Sequence, residues 1–317
     1  MNILITGADG FIGRALAARL LSSGALPDLG DARRRVTLLD QRFSAPVVDA
    51  RARLVSGDMS DPAVLRDAAA DGVDCVFHLA SIPGGAAEGN FALGLRVNLE
   101  ATVSLLELLR QQPSPPKVVF ASTIGVYGVP LPALIDDGTP TAPTMSYGAH
   151  KLIGEILVSD YSRRGLIDGR SLRLPGIVAR PPQASGMLSA FMSDLIRVLS
   201  SGGSFVCPVS PDGMAWWMSR SCVVENLLHA ARLTPEQVQR RRVYPLPVLH
   251  ASMAEVVAAI ARVRGKEVLE KVTYRPNAQL QAQFASLPPL HCPASLEAGF
   301  RHDGSLDVLV QRAVDGP

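Results

Sequence analysis

The chain has 317 residues, 47% hydrophobic and 19% charged, with 31 Lys and Arg against 29 Asp and Glu for a net charge of +2. That much apolar material builds a core without crosslinks, in two domains or in one large core carrying a smaller lobe. The balanced, scattered charge excludes a broad field for nucleic acid or an anionic membrane, and the basic triplets at residues 33–35 and 240–242 read as solvated loops.

Short β-branched runs at residues 2–6, 36–40, 53–57, 75–80, 117–122 and 171–178 predict strands. Between them, residues 11–23, 62–70, 90–111 and 147–164 carry helical periodicity, the last ending in Arg163, Arg164 and Gly165 as a helix C-terminus does. Strand and helix in alternation build a parallel sheet covered on both faces, the doubly wound α/β (Rossmann) class. Beyond about Pro181 the rhythm loosens. Helices are expected at 186–201, 223–233, 252–264 and 305–314, with strands near 243–249 and 268–274. The organisation expected is a dinucleotide-binding domain over residues 1–180 and a smaller substrate lobe over 181–317, partly interleaved with the sheet.

Cys75, Cys207, Cys222 and Cys292 are far apart, with no CxxC pair and no clustered histidine, so neither a metal site nor a disulfide framework is expected. The opening residues lack the basic start and long apolar stretch of a signal peptide, and no apolar run approaches the ~20 residues of a membrane span. A cytoplasmic protein is the expectation.

The first predicted strand runs into Gly7-Ala8-Asp9-Gly10-Phe11-Ile12-Gly13 and directly on into a helix. Gly7 takes the tight turn, Gly10 lets the backbone approach a pyrophosphate, and Gly13 lets helix and strand pack closely. Backbone amides about Gly10, Phe11, Ile12 and Gly13, at the helix N-terminus, then hold the phosphates. The second strand ends at Asp40, followed by Gln41. An acid there bonds the ribose hydroxyls of adenosine and repels a 2′-phosphate, which predicts NAD over NADP, although Arg42 lies close by.

Tyr147 and Lys151 stand four residues apart, one helical turn, on one face. A cation beside a phenol favours the phenolate, which can take the proton of an alcohol as its carbon gives hydride to a nicotinamide. Ser122 and Thr123 end a buried strand at the sheet's carboxyl edge, where either hydroxyl can orient that alcohol.

Together these motifs resemble the extended short-chain dehydrogenase/reductase family, which includes nucleotide-sugar epimerases and dehydratases. The resemblance runs from Met1 to about Pro181 and implies Thr123 as the catalytic hydroxyl, Tyr147 as acid/base, and Lys151 as the residue that holds the nicotinamide ribose and tunes Tyr147. It implies further that Asp58 and Met59 cradle adenine, that Leu79, Ala80 and Ser81 line the cofactor, that Pro175 to Val178 flank the nicotinamide, and that Asn98 has a structural or ribose-proximal role. It also implies a homodimer built on the helices at 90–111 and 147–164.

Within the family, residues 146–148, 160–165 and 173–175 are similar to the dehydrogenases of small sugar acids, and later segments extend that similarity over most of the chain. The implied activity is oxidation of a secondary alcohol of a sugar acid or hydroxy acid. The alternative is a nucleotide-sugar epimerase with tightly bound NAD. A dehydratase would carry an Asp-Glu pair where Ile124-Gly125 stands. The segments expected to face the substrate are 81–86, which includes Gly84, and 214–219, which includes Trp216. Both are poor in polar side chains, as suits a less hydroxylated substrate. Trp216 and Trp217 either wall that substrate or pack the lobe.

Overall fold

The computed structural model describes residues 1–22, 35–182 and 189–315. The predicted helix ends at Ser23 and Gly186, and Arg33 and Arg34 of the basic triplet, lie outside the described residues. Twelve strands are described: β1 (Asn2–Thr6), β2 (Arg35–Asp40), β3 (Ala52–Ser56), β4 (Cys75–His78), β5 (Lys117–Thr123), β6 (Asp168–Leu174), β7 (Gly176–Val178), β8 (Phe205–Cys207), β9 (Met214–Ser219), β10 (Val243–Pro245), β11 (Leu249–Ser252) and β12 (Val272–Tyr274).

The chain forms two compact units. The first comprises residues 1–126, 143–173 and 227–244, and the second 127–142, 174–226 and 245–317. The expected single boundary at residue 180 is therefore corrected. Residues 127–142 and 174–180 go with the second unit, and 227–244 return to the first, where β10 extends the sheet beside β6.

The first unit is a seven-stranded sheet in the order β10-β6-β5-β4-β1-β2-β3, with β3, β2, β1, β4 and β5 pairing in parallel. Continuous burial of β1 and β4 explains their unbroken apolar sequence, since such strands face helices on both sides. The order reverses at β1, which pairs with β2 on one side and β4 on the other. Thr6 lies level with His78 at the carboxyl ends, the switch point where doubly wound sheets take ligands. Helices α1 (Phe11–Leu21), α2 (Pro62–Ala68), α3 (Gly84–Gly89), α4 (Phe91–Leu95), α5 (Ala101–Leu109) and α6 (Ser146–Arg163) belong to this unit.

The stretch predicted as one helix over 90–111 is α4, a π turn over Arg96–Glu100, and α5. The wider turn carries Asn98, which is buried, and the Thr102 hydroxyl donates to the Asn98 carbonyl at 2.9 Å. Such π turns recur at functional sites. The strand predicted over 171–178 is also two strands, because Pro175 offers no N–H to continue a ladder: β6 lies in the large sheet and β7 pairs with β9. Likewise β10 ends at Pro245, and Pro247 lies between it and β11.

The second unit holds a three-stranded sheet, β11-β9-β7, and the β12-β8 pair. Helices Ala190–Ser200, Met253–Arg264 and Leu306–Asp315 pack a core that contains Trp217, Leu195, Ile260 and Leu309. Met253–Arg264 begins at a capping box in which Ser252 and Glu255 satisfy each other's backbone N–H groups. No helix among the described residues is long and apolar enough to cross a membrane, and these residues contain no cluster of three potential metal ligands. All four cysteines are free and buried.

Candidate active site

The glycine turn is shaped by what a side chain would strike. Gly7 has φ +71°, and a Cβ there would lie 2.7 Å from the Ala80 nitrogen; at Gly13 it would lie 2.1 Å from the Gly7 oxygen. Gly10 is exposed and caps α1 with no side-chain hydrogen bond, and no acidic residue stands in that helix's first turn. The result is a glycine-shaped helix N-terminus at the sheet's switch point, which fits a pyrophosphate. Phe11 and Ile12 are half-buried in the first turn of α1.

At the end of β2 the Asp40 carboxylate accepts the Asp9 N–H at 2.8 Å and the Gln41 N–H at 2.7 Å. Partial burial pushes its pKa above the ordinary carboxylate value, while those two N–H groups oppose the rise. Asp58 accepts the Ser60 N–H at 2.9 Å, and Met59 beside it is buried. These positions suit the ribose and adenine of a dinucleotide.

Beyond β4, the Ala80 N–H donates to the Thr6 hydroxyl at 3.3 Å, and the loop carrying Leu79, Ala80 and Ser81 runs half-buried to α3. Under this loop lies a chain of polar groups that the sequence did not disclose. His78 bonds Thr6 Oγ1 through Nδ1 at 2.7 Å and Thr102 Oγ1 through Nε2 at 2.9 Å. The Thr102 proton goes to the Asn98 carbonyl, so Nε2 is the protonated ring nitrogen and Thr6 donates to Nδ1. Burial, reinforced by the Lys151 charge, pushes the His78 pKa down to about 3, and the ring is neutral. The Asn98 side chain accepts the Ile82 N–H at 2.7 Å and donates to the Ile82 carbonyl at 3.1 Å. Asn98 thus clamps the loop. Of the structural and ribose-proximal roles the resemblance implies for Asn98, these contacts supply the structural one.

Helix α6 brings the dyad together. A Cβ at Gly148 would lie 2.5 Å from the Gly125 carbonyl, so only glycine lets α6 approach the turn that follows Thr123. Tyr147 is half-buried, and Lys151 is buried with its ammonium 5.9 Å from the Tyr147 ring centre and 4.8 Å from that of Phe120. Burial lowers the Lys151 pKa from 10.5 to about 7, with Glu155 pulling in the opposite direction. At Gly84 a Cβ would lie 3.4 Å from the Met145 methyl and 3.8 Å from Tyr147 Cβ, which places the start of α3 beside the phenol.

The two hydroxyls at the end of β5 separate by strand alternation. Ser122 is 2% exposed and its hydroxyl donates to Glu155, which Arg173 grips through Nε at 3.0 Å and Nη2 at 2.8 Å. Its expected substrate contact is therefore corrected. Thr123 is half-buried, and its hydroxyl accepts the Gly125 N–H at 3.1 Å, leaving its proton available. The reach of Glu155 from α6 does not show in the sequence.

In the second unit Pro175 is buried and Val178 is 1% exposed. Trp216 is 1% exposed with its indole N–H on the Pro288 carbonyl at 2.7 Å, and Trp217 donates to the Ala251 carbonyl at 2.9 Å. Of the two alternatives for these indoles, substrate wall or lobe packing, their burial and bonding favour packing.

The sequence matches the NAD dependent epimerase/dehydratase family over residues 3–219. D-erythronate dehydrogenase of Cupriavidus necator is 42% identical over 314 residues, covering 98% of this chain and 97% of that protein. The D-erythronate dehydrogenase of Haemophilus influenzae is 30% identical over 99% of both chains. Among solved structures, the nucleoside-diphosphate-sugar epimerase from Agrobacterium tumefaciens superposes with a TM-score of 0.91 at 34% identity, over 100% of this chain and 94% of that one.

Proposed function

Because this chain belongs to the NAD dependent epimerase/dehydratase family, we propose that it is the NAD-linked dehydrogenase of a small sugar acid, oxidising a secondary alcohol of a D-erythronate-like substrate. The observation that carries the reading is the dyad: Tyr147 one turn from a buried Lys151, on a helix that Gly148 seats against the turn after Thr123. NAD supplies the hydride acceptor. The glycine turn holds its pyrophosphate and Asp40 its adenosine ribose. Tyr147 takes the proton from the substrate oxygen, the Lys151 charge favours the phenolate, and Thr123 donates to the same oxygen and orients it.

The full-length similarity to two D-erythronate dehydrogenases supports the sugar acid. The test is NADH formation with D-erythronate, threonate and related hydroxy acids, run beside an isomerisation assay on UDP-sugars. NADH appearing with a sugar acid is expected; UDP-sugar interconversion without net NADH would replace the reading with the epimerase.

A homodimer in the cytoplasm belongs to the same reading. On α6, Ile153 and Ile156 are exposed by 40% and 60%, and Phe91 at the start of α4 by 59%, an apolar face of the kind a helical interface covers. Sedimentation at micromolar concentration is expected to give twice the 33.6 kDa chain mass, and Ile156→Arg is expected to give the monomer. A monomeric native protein would overturn this assembly.

A further inference from the structure

Asp40 is the residue at which NAD is ordinarily distinguished from NADP, yet it is not the only carboxylate at that edge. Asp9, within the glycine turn, donates its N–H to Asp40 at 2.8 Å, so the two acids lie side by side. The Asp9 side chain is 16% exposed and fully engaged. It pairs with Arg14, whose Nε lies 3.0 Å away, and accepts Arg14 Nη2 at 3.2 Å together with the Ser44 N–H at 3.1 Å and hydroxyl at 3.0 Å. Arg14 also donates to the Asp9 carbonyl at 2.8 Å and to the Ser44 hydroxyl. Arg14, one residue beyond Gly13, is half-exposed and carries the planar fork suited to phosphate.

We propose that Asp9 is a second determinant of cofactor selectivity, acting by holding Arg14 away from a 2′-phosphate and by adding its own charge to that of Asp40. The inference rests on the dinucleotide reading above and extends it to a residue that the glycine spacing leaves unspecified. Asp9 and Asp40 set two carboxylates against the Arg14 guanidinium, so these three groups together repel a phosphate, and Arg42, exposed two residues beyond Asp40, is the same in every variant compared. Neutralising Asp9 removes one negative charge and releases a fork of N–H donors in the same step. Ser44 stands just beyond β2 and ties the following loop to the turn, so the device spans both segments that meet the adenosine end.

The test is calorimetric titration of wild type, Asp9→Asn, Asp9→Glu and the Asp9→Asn/Arg14→Ala double variant with NADH and with NADPH. In Asp9→Asn the ratio of the NADPH Kd to the NADH Kd is expected to fall about tenfold, the worth of one gained charge-assisted phosphate contact. That gain is expected to shrink with added salt. Asp9→Glu keeps the charge and is expected to keep the wild-type ratio, whereas the double variant is expected to return most of the way to it. A ratio unchanged in Asp9→Asn, or a wild type that prefers NADPH, would overturn the proposal. So would loss of NADH binding in Asp9→Asn, since Asp9 would then serve the shape of the turn. A wild type that binds neither cofactor would instead remove the dinucleotide reading itself.

Discussion

Tyr147→Phe is expected to lower kcat by about a thousandfold, within the 10²–10⁴ range of a positioned general base, while the Kd for NADH changes by less than about twofold. The phenyl ring keeps the half-buried volume and leaves the neighbours of Gly148 undisturbed, so the loss isolates the hydroxyl. Rapid-mixing kinetics with saturating substrate, beside calorimetric titration of the cofactor, checks both halves. Retained turnover would remove Tyr147 from the chemistry. Lys151→Met sharpens the test through pH. Alcohol oxidation needs the phenolate, and the Lys151 ammonium 5.9 Å from the ring favours it. Without that charge the phenolate loses a favourable neighbour, and the rising limb of the oxidation rate is expected to move to higher pH. A rate lowered equally at every pH would show that Lys151 acts through packing alone.

The parallel sheet was legible in the sequence because each central strand is buried on both faces and therefore unbroken in apolar character, as β1 and β4 are. The glycine turn and the dyad were legible for a related reason: their chemistry is local, fitting within one turn or one helical repeat. What the sequence hid depends on distant partners. Asn98 and Ile82 are sixteen residues apart, and Ser122 and Glu155 thirty-three, and no periodicity links either pair. Nothing local distinguishes a Ser122 that serves Glu155 from one that serves a substrate. The strand β9 was missed because the run containing Trp216 and Trp217 is buried on consecutive positions and shows no alternation. The interleaving expected of the later chain takes the form of β10, which returns to the large sheet from far along the chain, a place that no local pattern specifies.

Glu155→Ala is expected to cost about 3–5 kcal/mol of folding stability, the usual result of removing one partner from a buried ion pair. Glu155 is 2% exposed, and its carboxylate takes the Ser122 hydroxyl on one oxygen and the Arg173 fork across both. Alanine would leave the guanidinium, only 14% exposed, without its counter-charge and would orphan a buried hydroxyl as well. Urea unfolding at constant m-value measures the loss, and a change below about 1 kcal/mol would show that water reaches Arg173 readily. Glu155→Gln, which keeps an acceptor for Ser122, is expected to lose less. The double variant Glu155→Leu/Arg173→Met is expected to recover most of the stability, because a packed apolar pair carries no desolvation cost. Its activity is expected to stay low even so. Glu155 is the anion that opposes the burial penalty on Lys151, and without it that lysine is expected to fall further below about 7 and to give up the charge that favours the Tyr147 phenolate. Recovery of stability without recovery of turnover would separate the two contributions of one carboxylate: fastening β5 and β6 to α6, and keeping the cation of the dyad charged.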